Sequence, residues 1–189
     1  LCEPGAAANG AGTLLSGARR IGLSGEAVNH HLGVSAFADR AVVDQNSCVK
    51  IDPEIPLDLA ALFGCAVLTG VGAVVNSGNL RSGQSCAVVG LGGVGLAALL
   101  GALAAGAGTL VAVDLDDDKL ALARDLGATH TVNAGAPDAV ARIRELSGGG
   151  VDIAVEVAGA APALKLAYDC TRRGGTTVTA GLPHPAAQL

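Results

Sequence analysis

Methionine and tryptophan are absent from this 189-residue chain, and only one tyrosine and two phenylalanines occur. A core without large rings must be fine-grained, packed from aliphatic side chains with close backbone approaches, and the 28 glycines suit that. Charge is scarce too, at 15% of residues, with 17 acids against 12 bases for a net charge of −5. No basic run exceeds Arg19-Arg20 or Arg172-Arg173, which argues against a nucleic-acid-binding surface. The five cysteines, Cys2, Cys48, Cys65, Cys86 and Cys170, show no close pairing. That excludes a disulfide framework and suits a reducing, cytoplasmic setting. No basic segment followed by an apolar stretch opens the chain, so no secretory signal is read. With Leu1 first and no methionine anywhere, the sequence reads as an internal piece of a longer chain.

Half of the residues are hydrophobic and the mean hydropathy is +0.50, which supplies a sizeable core and excludes general disorder. From Ser82 to Val113 no charged residue occurs, longer than the roughly 20 residues a bilayer-spanning helix needs. Seven glycines between Gly90 and Gly108 oppose that reading, because glycine costs about 1 kcal/mol relative to alanine in a helix interior. Cys86-Ala87-Val88-Val89 and Leu110-Val111-Ala112-Val113 are instead short buried-strand patterns. Two parallel strands covered on both faces, with a helix between them, explain the missing charges without a membrane.

Residues 1–55 read as Gly/Ala/Ser-rich turns followed by an alternating stretch, Phe37 to Ile51, predicted to form one or two antiparallel strands. Pro53 and Pro56 punctuate its end. Leu57–Leu62 and Ala66–Val75 have helical period, with Gly64-Cys65 between them. Beyond Gly83 strand and helix alternate. Strands are predicted at Cys86–Val89, Leu110–Val113, Thr131-Val132, Asp152–Val157 and Thr176–Ala180. Helices are predicted at Val94–Ala105, Asp118–Leu126, Asp138–Leu146 and Pro162–Cys170. This rhythm predicts an α/β fold with a doubly wound parallel sheet and right-handed crossovers.

Gly90-Leu91-Gly92-Gly93-Val94-Gly95 fits G-x-G-x-x-G with a strand before it and a helix opening at it. Gly90 allows the tight turn, Gly92 lets a pyrophosphate approach the backbone, and Gly95 permits close helix–strand packing. Freed N–H groups and the helix dipole then favour the anion. Asp114 ends the next strand nineteen residues after Gly95, where an acid can bond ribose hydroxyls and repel a 2′-phosphate. NAD is therefore expected rather than NADP. The other reading of Asp114 is a helix N-terminal acid, a role Asp116, Asp117 and Asp118 already fill. Lys119 either reaches the same ribose or is a solvated helix lysine.

Several segments together resemble the zinc-dependent medium-chain alcohol dehydrogenases. They are His30-His31-Leu32-Gly33-x-Ser35-x-Phe37, Gly64-Cys65-x-x-x-Thr69-Gly70, Gly90–Gly95, Val113-Asp114 with Lys119, Glu156-Val157-x-Gly159 and Ala180-Gly181-Leu182-Pro183. The likeness is greatest to the class that holds glutathione- or mycothiol-linked formaldehyde dehydrogenases and long-chain alcohol dehydrogenases. It implies that residues 1–55 are the C-terminal part of a mainly-β, GroES-like catalytic domain. Residues 56–189 would be a Rossmann NAD-binding domain lacking its last strand, with the strand near Ala180 left as an edge.

The resemblance implies NAD and zinc as cofactors. Cys65 would complete a catalytic zinc site whose other ligands lie before Leu1, and Cys2 would be the last of four cysteines holding a structural zinc. Without the resemblance, Cys65 reads as a buried core thiol. Thr69, the catalytic-side residue, and Val94 match positions packing against nicotinamide, while Val157, Ala180 and Leu182 match its other edge. Gly90, Gly92, Gly93, Val94, Gly95, Asp114 and Lys119 complete the cofactor set. His31 and Leu32 match the substrate-channel wall. Cys48, Cys86 and Cys170 match nothing functional and read as small core residues.

The implied function is hydride transfer between NAD and a primary or secondary alcohol, or a thiol adduct of formaldehyde. The expected partners are a small alcohol or aldehyde and further copies of the chain in a homodimer or homotetramer, with neither nucleic acid nor membrane. Alternatives are a zinc-free quinone or enoyl reductase of the same superfamily and a non-catalytic NAD-binding piece.

Overall fold

The computed structural model describes residues 3–33, 39–184 and 186. By contact density the chain divides into two units, Leu1–Ile55 and Pro56–Leu189. In the first, helix α1 spans Glu3–Ala11, where turns are expected from its glycines. Pro4 at its start has no N–H that a helix would need there, and Ala6-Ala7-Ala8 favour the helical state. Strands β1, Ile21–Leu23, and β2, Glu26–Val28, form an antiparallel hairpin. Ser24 and Gly25, both at positive φ, make its two-residue turn.

The strands expected over Phe37–Ile51 do not form among the described residues; Phe37 itself lies outside them. Instead Asp44 accepts the Asn46 N–H at 2.9 Å and caps a single 3₁₀ turn, Gln45–Ser47. Val42, Val49 and Ile51 are exposed, so the alternating pattern covers no sheet face among the described residues. Cys48, read as core, is exposed as well.

In the second unit the two helical segments around Gly64-Cys65 are one continuous run, α2, Leu57–Ser77. The backbone widens to π geometry over Phe63–Val67 and Ala73–Ser77 instead of breaking, with Val67 N–H donating to Leu62 O and Gly78 N–H to Ala73 O. By length and composition alone α2 could cross a bilayer. Its Gly70, Ala73 and Val74 are nevertheless buried, and a Cβ on Gly70 would overlap the Val94 carbonyl oxygen of the next helix.

The charge-free run resolves into strand β3, Ser85–Val89, helix α3, Gly93–Ala104, and strand β4, Thr109–Asp114. There follow α4 (Asp117–Asp125), β5 (His130–Asn133), α5 (Ala139–Leu146), β6 (Val151–Glu156), α6 (Ala161–Cys170) and β7 (Thr171–Thr179). The five strands pair in parallel in the order β5-β4-β3-β6-β7. Cys86, Val88, Leu110, Ala112, Ile153 and Val155 face one apolar layer. Ala87, Val89, Val111, Val113 and Ala154 face the other. Burial on both faces is why these strands carry almost no charge. The result is the expected doubly wound, Rossmann-like α/β sheet.

β7 begins five residues earlier than expected. Thr171 pairs with Val151 and Thr176 with Ile153, so residues 172–175 bulge opposite Asp152. The bulge, with Gly174 at φ +75°, brings Arg172 onto Asp152.

Asp152 clasps the amino ends of three strands. Its Oδ2 accepts Ser85 N–H at 2.8 Å and Ser85 Oγ–H at 2.7 Å, and its Oδ1 meets Arg172 Nε at 2.7 Å. Partial burial pushes the carboxyl up, but the Ser85 and Arg172 donors outweigh it and hold it below its usual value of 3.8. A folded-state value below the unfolded one adds stability above pH 4 that disappears as pH falls through the folded value. We therefore expect Asp152→Asn to cost about 2 kcal/mol near pH 7, the scale for hydrogen bonds to a charged group. The gap to wild type should narrow below pH 4, as read by chemical denaturation across pH.

Cys86 and Cys170 are buried, and desolvation pushes both thiols up to about 12; neighbouring Cys170 adds to the effect on Cys86. Only thiolates react readily. Peptide mapping after brief alkylation should find Cys48 and Cys65 modified, and Cys86 and Cys170 protected until the chain unfolds.

Candidate functional site

In the second unit two glycines at positive φ, Gly90 and Gly159, follow the carboxyl ends of β3 and β6. Between β3 and β6 the chain's direction of winding reverses, which is where open α/β sheets leave a crevice. β3 gives way to α3 through Gly90, whose φ of +97° a residue with a side chain rarely adopts. A Cβ there would stand 2.8 Å from Ala158 N, and a Cβ on Gly95 would overlap the Gly90 carbonyl oxygen. Gly92 has open space where its side chain would be. Leu91 is buried and anchors the turn. The first intrahelical bond of α3 runs from Leu96 N–H to Gly92 O at 2.8 Å. The N–H groups of Gly93, Val94 and Gly95 therefore precede any helical acceptor and lie at the positive end of the helix dipole.

Asp114 closes β4 beside this turn. Its Oδ2 accepts the Leu91 N–H at 2.6 Å, its Oδ1 accepts the Asp116 N–H at 3.1 Å, and Lys119 Nζ lies 3.9 Å from Oδ1. A carboxylate has about four lone-pair sites, so it retains acceptor capacity for hydroxyls. Asp116, not Asp114, caps α4, accepting from Asp118 N–H at 2.9 Å and Lys119 N–H at 3.4 Å. A pocket of about 230 Å³ opens here, lined by Gly90, Val113, Asp114, Leu115, Ala158 and Pro162 among others. Its lining is apolar apart from the one acid, the make-up of sites that hold a flat ring and fix it with a few polar groups. A larger cleft of about 720 Å³ over α6 and β7 contains none of the sequence-nominated residues.

The remaining candidates gather around the same turn. Val157 Cγ2 would lie 3.3 Å from a Cβ on Gly95, and Val157 N–H donates to Val89 O at 2.9 Å. Ala180 N–H donates to Glu156 O at 2.9 Å, and Leu182 N would lie 2.9 Å from a Cβ on Gly159. Thr69 is half-buried on α2, next to the Gly70 that packs on Val94, and Ala66 would contact a Cβ on Gly93 at 3.8 Å.

Four nominations remain. His31 and Leu32 are exposed in the Leu1–Ile55 unit, Leu32 at φ +53°, while neighbouring His30 is buried and accepts the Arg20 N–H at 3.0 Å. Cys2 lies outside the described residues. Cys65 sits on the π-wound part of α2 with its side chain exposed, which overturns its reading as a core thiol. Among the described residues no group of three His, Cys, Asp or Glu side chains stands close enough to hold a metal ion. The site also uses residues that motif reading passes over, chiefly Ala158, Pro162 and the main chain of Leu91. The signal nearest to Ala158 is the segment Glu156-Val157-x-Gly159, in which it is the unspecified position.

Comparison with known proteins adds to this geometry. Residues 93–189 match the zinc-binding dehydrogenase family. An alcohol dehydrogenase zinc-binding domain protein from Burkholderia ambifaria is 37% identical with a TM-score of 0.85, over 99% of this chain and 54% of that one. Benzyl alcohol dehydrogenase from Acinetobacter calcoaceticus is 35% identical, TM-score 0.82, over 89% and 48%. 2R,3R-butanediol dehydrogenase from Bacillus subtilis is 34% identical, TM-score 0.69, over 78% and 42%. The chain thus spans about half the length of the solved structures it matches. Spanning α3 to the end of the chain, the match takes in strands β4 to β7, and the chain belongs to the zinc-binding dehydrogenase family.

Proposed function

We propose that this chain is the NAD-binding part of an oxidoreductase that moves a hydride between NAD and a primary or secondary alcohol. The observation that carries the reading is the pairing of Asp114 with the glycine turn. One carboxylate oxygen lies 2.6 Å from Leu91 N, so the acid at the end of β4 and the open space at Gly92 belong to one surface. A pyrophosphate would rest on the N–H groups of Gly93, Val94 and Gly95, while the adjoining ribose hydroxyls donate to Asp114, with Lys119 within reach. The adenine would enter the 230 Å³ pocket. Thr69 and Val94 on one side, and Val157, Ala180 and Leu182 on the other, would hold the nicotinamide by apolar contact and keep water from it. When bound, the nicotinamide supplies the hydride chemistry, and the chain's own residues orient the ring. Among the similar structures are alcohol and butanediol dehydrogenases, which favours an alcohol substrate.

Zinc stands differently. Cys65 is the one nominated ligand within the described residues, and those residues do not by themselves fit a zinc ion.

Titration of the chain with NADH and NADPH tests the cofactor reading. We expect NADH to bind at least about tenfold more tightly, the scale of one charge-assisted hydrogen bond. Asp114→Asn, which keeps an acceptor for Leu91 N–H but removes the charge, should bring the two within about threefold. Tighter NADPH binding by wild type would remove Asp114 from this role.

A further inference from the structure

Glu156 ends β6 as a carboxylate with 1% of its surface exposed. Such a group is costly to bury unless donors surround it. Its Oε1 accepts the N–H groups of Ala158 at 2.8 Å and Gly159 at 2.6 Å, and its Oε2 accepts the Thr179 hydroxyl at 2.7 Å. Its main-chain carbonyl accepts Ala180 N–H at 2.9 Å and Gly181 N–H at 3.2 Å. One residue thus ties the loop after β6 to the loop after β7.

Glycine makes the tie possible. A Cβ on Gly181 would stand 2.7 Å from Glu156 Oε1, and Gly159, at φ +71°, has Leu182 N 2.9 Å from where its Cβ would be. The tied loops also press on the phosphate turn through Ala158 against Gly90 and Val157 against Gly95. A carboxylate suits this place because it accepts from every side and asks for no acceptor in return.

We propose that Glu156 is a positioning residue for the dinucleotide. It holds Val157–Gly159 and Ala180–Leu182 as one wall against Gly90–Gly95, so that the cofactor meets a preformed crevice. Preorganisation of this kind raises affinity by removing ordering costs from the binding step. The proposal rests on the NAD reading above.

NADH fluorescence titration of the chain tests it with three substitutions at the site and one control. In Glu156→Gln the amide oxygen keeps the acceptor for both N–H groups, and the Thr179 hydroxyl can turn to accept from the amide nitrogen. Binding within about threefold of wild type is expected. Glu156→Asp is one methylene too short to reach both loops, and Glu156→Ala leaves three donors unpaired. Each should bind NADH at least about tenfold more weakly. Faster hydrogen exchange at the Ala158 and Gly159 amides should accompany the loss. The control is Asp152→Asn, which loosens the opposite end of β6 and should leave NADH affinity unchanged.

Ala and Asp variants that bind within twofold of wild type would overturn the proposal. So would a Gln variant as weak as Ala, or a control that weakens binding as much. Should Glu156→Ala fail to fold, the Gln and Asp variants carry the same decision. A wild-type chain that binds no NADH would instead overturn the cofactor reading itself, and the role of Glu156 with it.

Discussion

The crevice depends on main chain meeting main chain at the end of β3. Where Gly90 turns, the backbone of Ala158 is so near that a side chain would strike it at 2.8 Å, and Gly95 lies directly over the Gly90 carbonyl. Any residue larger than glycine at either position would lift α3 away from the sheet or push the β6 loop outward. Both movements would pull Leu91 N–H away from Asp114 and separate the acid from the turn. The absence of large rings belongs to the same design. Gly70 admits the Val94 carbonyl, and Gly101 faces Val71 Cα at a would-be Cβ distance of 3.2 Å, so α2 and α3 pack with almost no side chain between them. A tryptophan or phenylalanine layer there would hold the helices further apart.

How far this was legible in the sequence follows from where each signal resides. The parallel sheet was legible because runs such as Cys86–Val89 and Leu110–Val113 are apolar on both faces, which only a doubly covered strand tolerates. The turn and its acid were legible because G-x-G-x-x-G needs specific backbone angles and Asp114 interrupts an apolar run. The strands expected over Phe37–Ile51 were not, because alternation states only that one face seeks cover and cannot supply the neighbouring strand. Val49 and Ile51 are exposed, and the local competitor, the Asp44 side chain, takes the backbone donor instead. Cys48 was misread for the same reason: a small apolar residue is core only where a core exists. The two helical segments either side of Gly64-Cys65 run together because glycine permits a helix to end without compelling it, and a π turn carries the chain through with Val67 N–H bonded to Leu62 O.

The two ends of β6 show what a backbone motif cannot specify. At the amino end, Asp152 binds Ser85 and Arg172, and its partly solvated position lets an arginine share the load. At the carboxyl end, Glu156 is shut away from water and is met only by neutral donors: two main-chain N–H groups and a hydroxyl. An arginine beside Glu156 would bring a second charge into the space between two loops, where desolvation would oppose it. Charge is thus placed by solvent access, with ion pairs at the rim and neutral donors inside.

Asp114 and Glu156 divide a further task between them. Both are carboxylates that accept main-chain N–H groups at strand ends on the same edge of the sheet. Asp114 takes one N–H on each oxygen and is left with lone pairs turned toward the pocket it helps to line. Glu156 is buried with three side-chain bonds and has no open surface to offer a ligand. Spacing from the glycine turn singles out Asp114 in the sequence, but nothing there says what Glu156 does. Burial does: the exposed capacity of one can recognise a sugar, whereas the enclosed capacity of the other can act only on the protein's own loops.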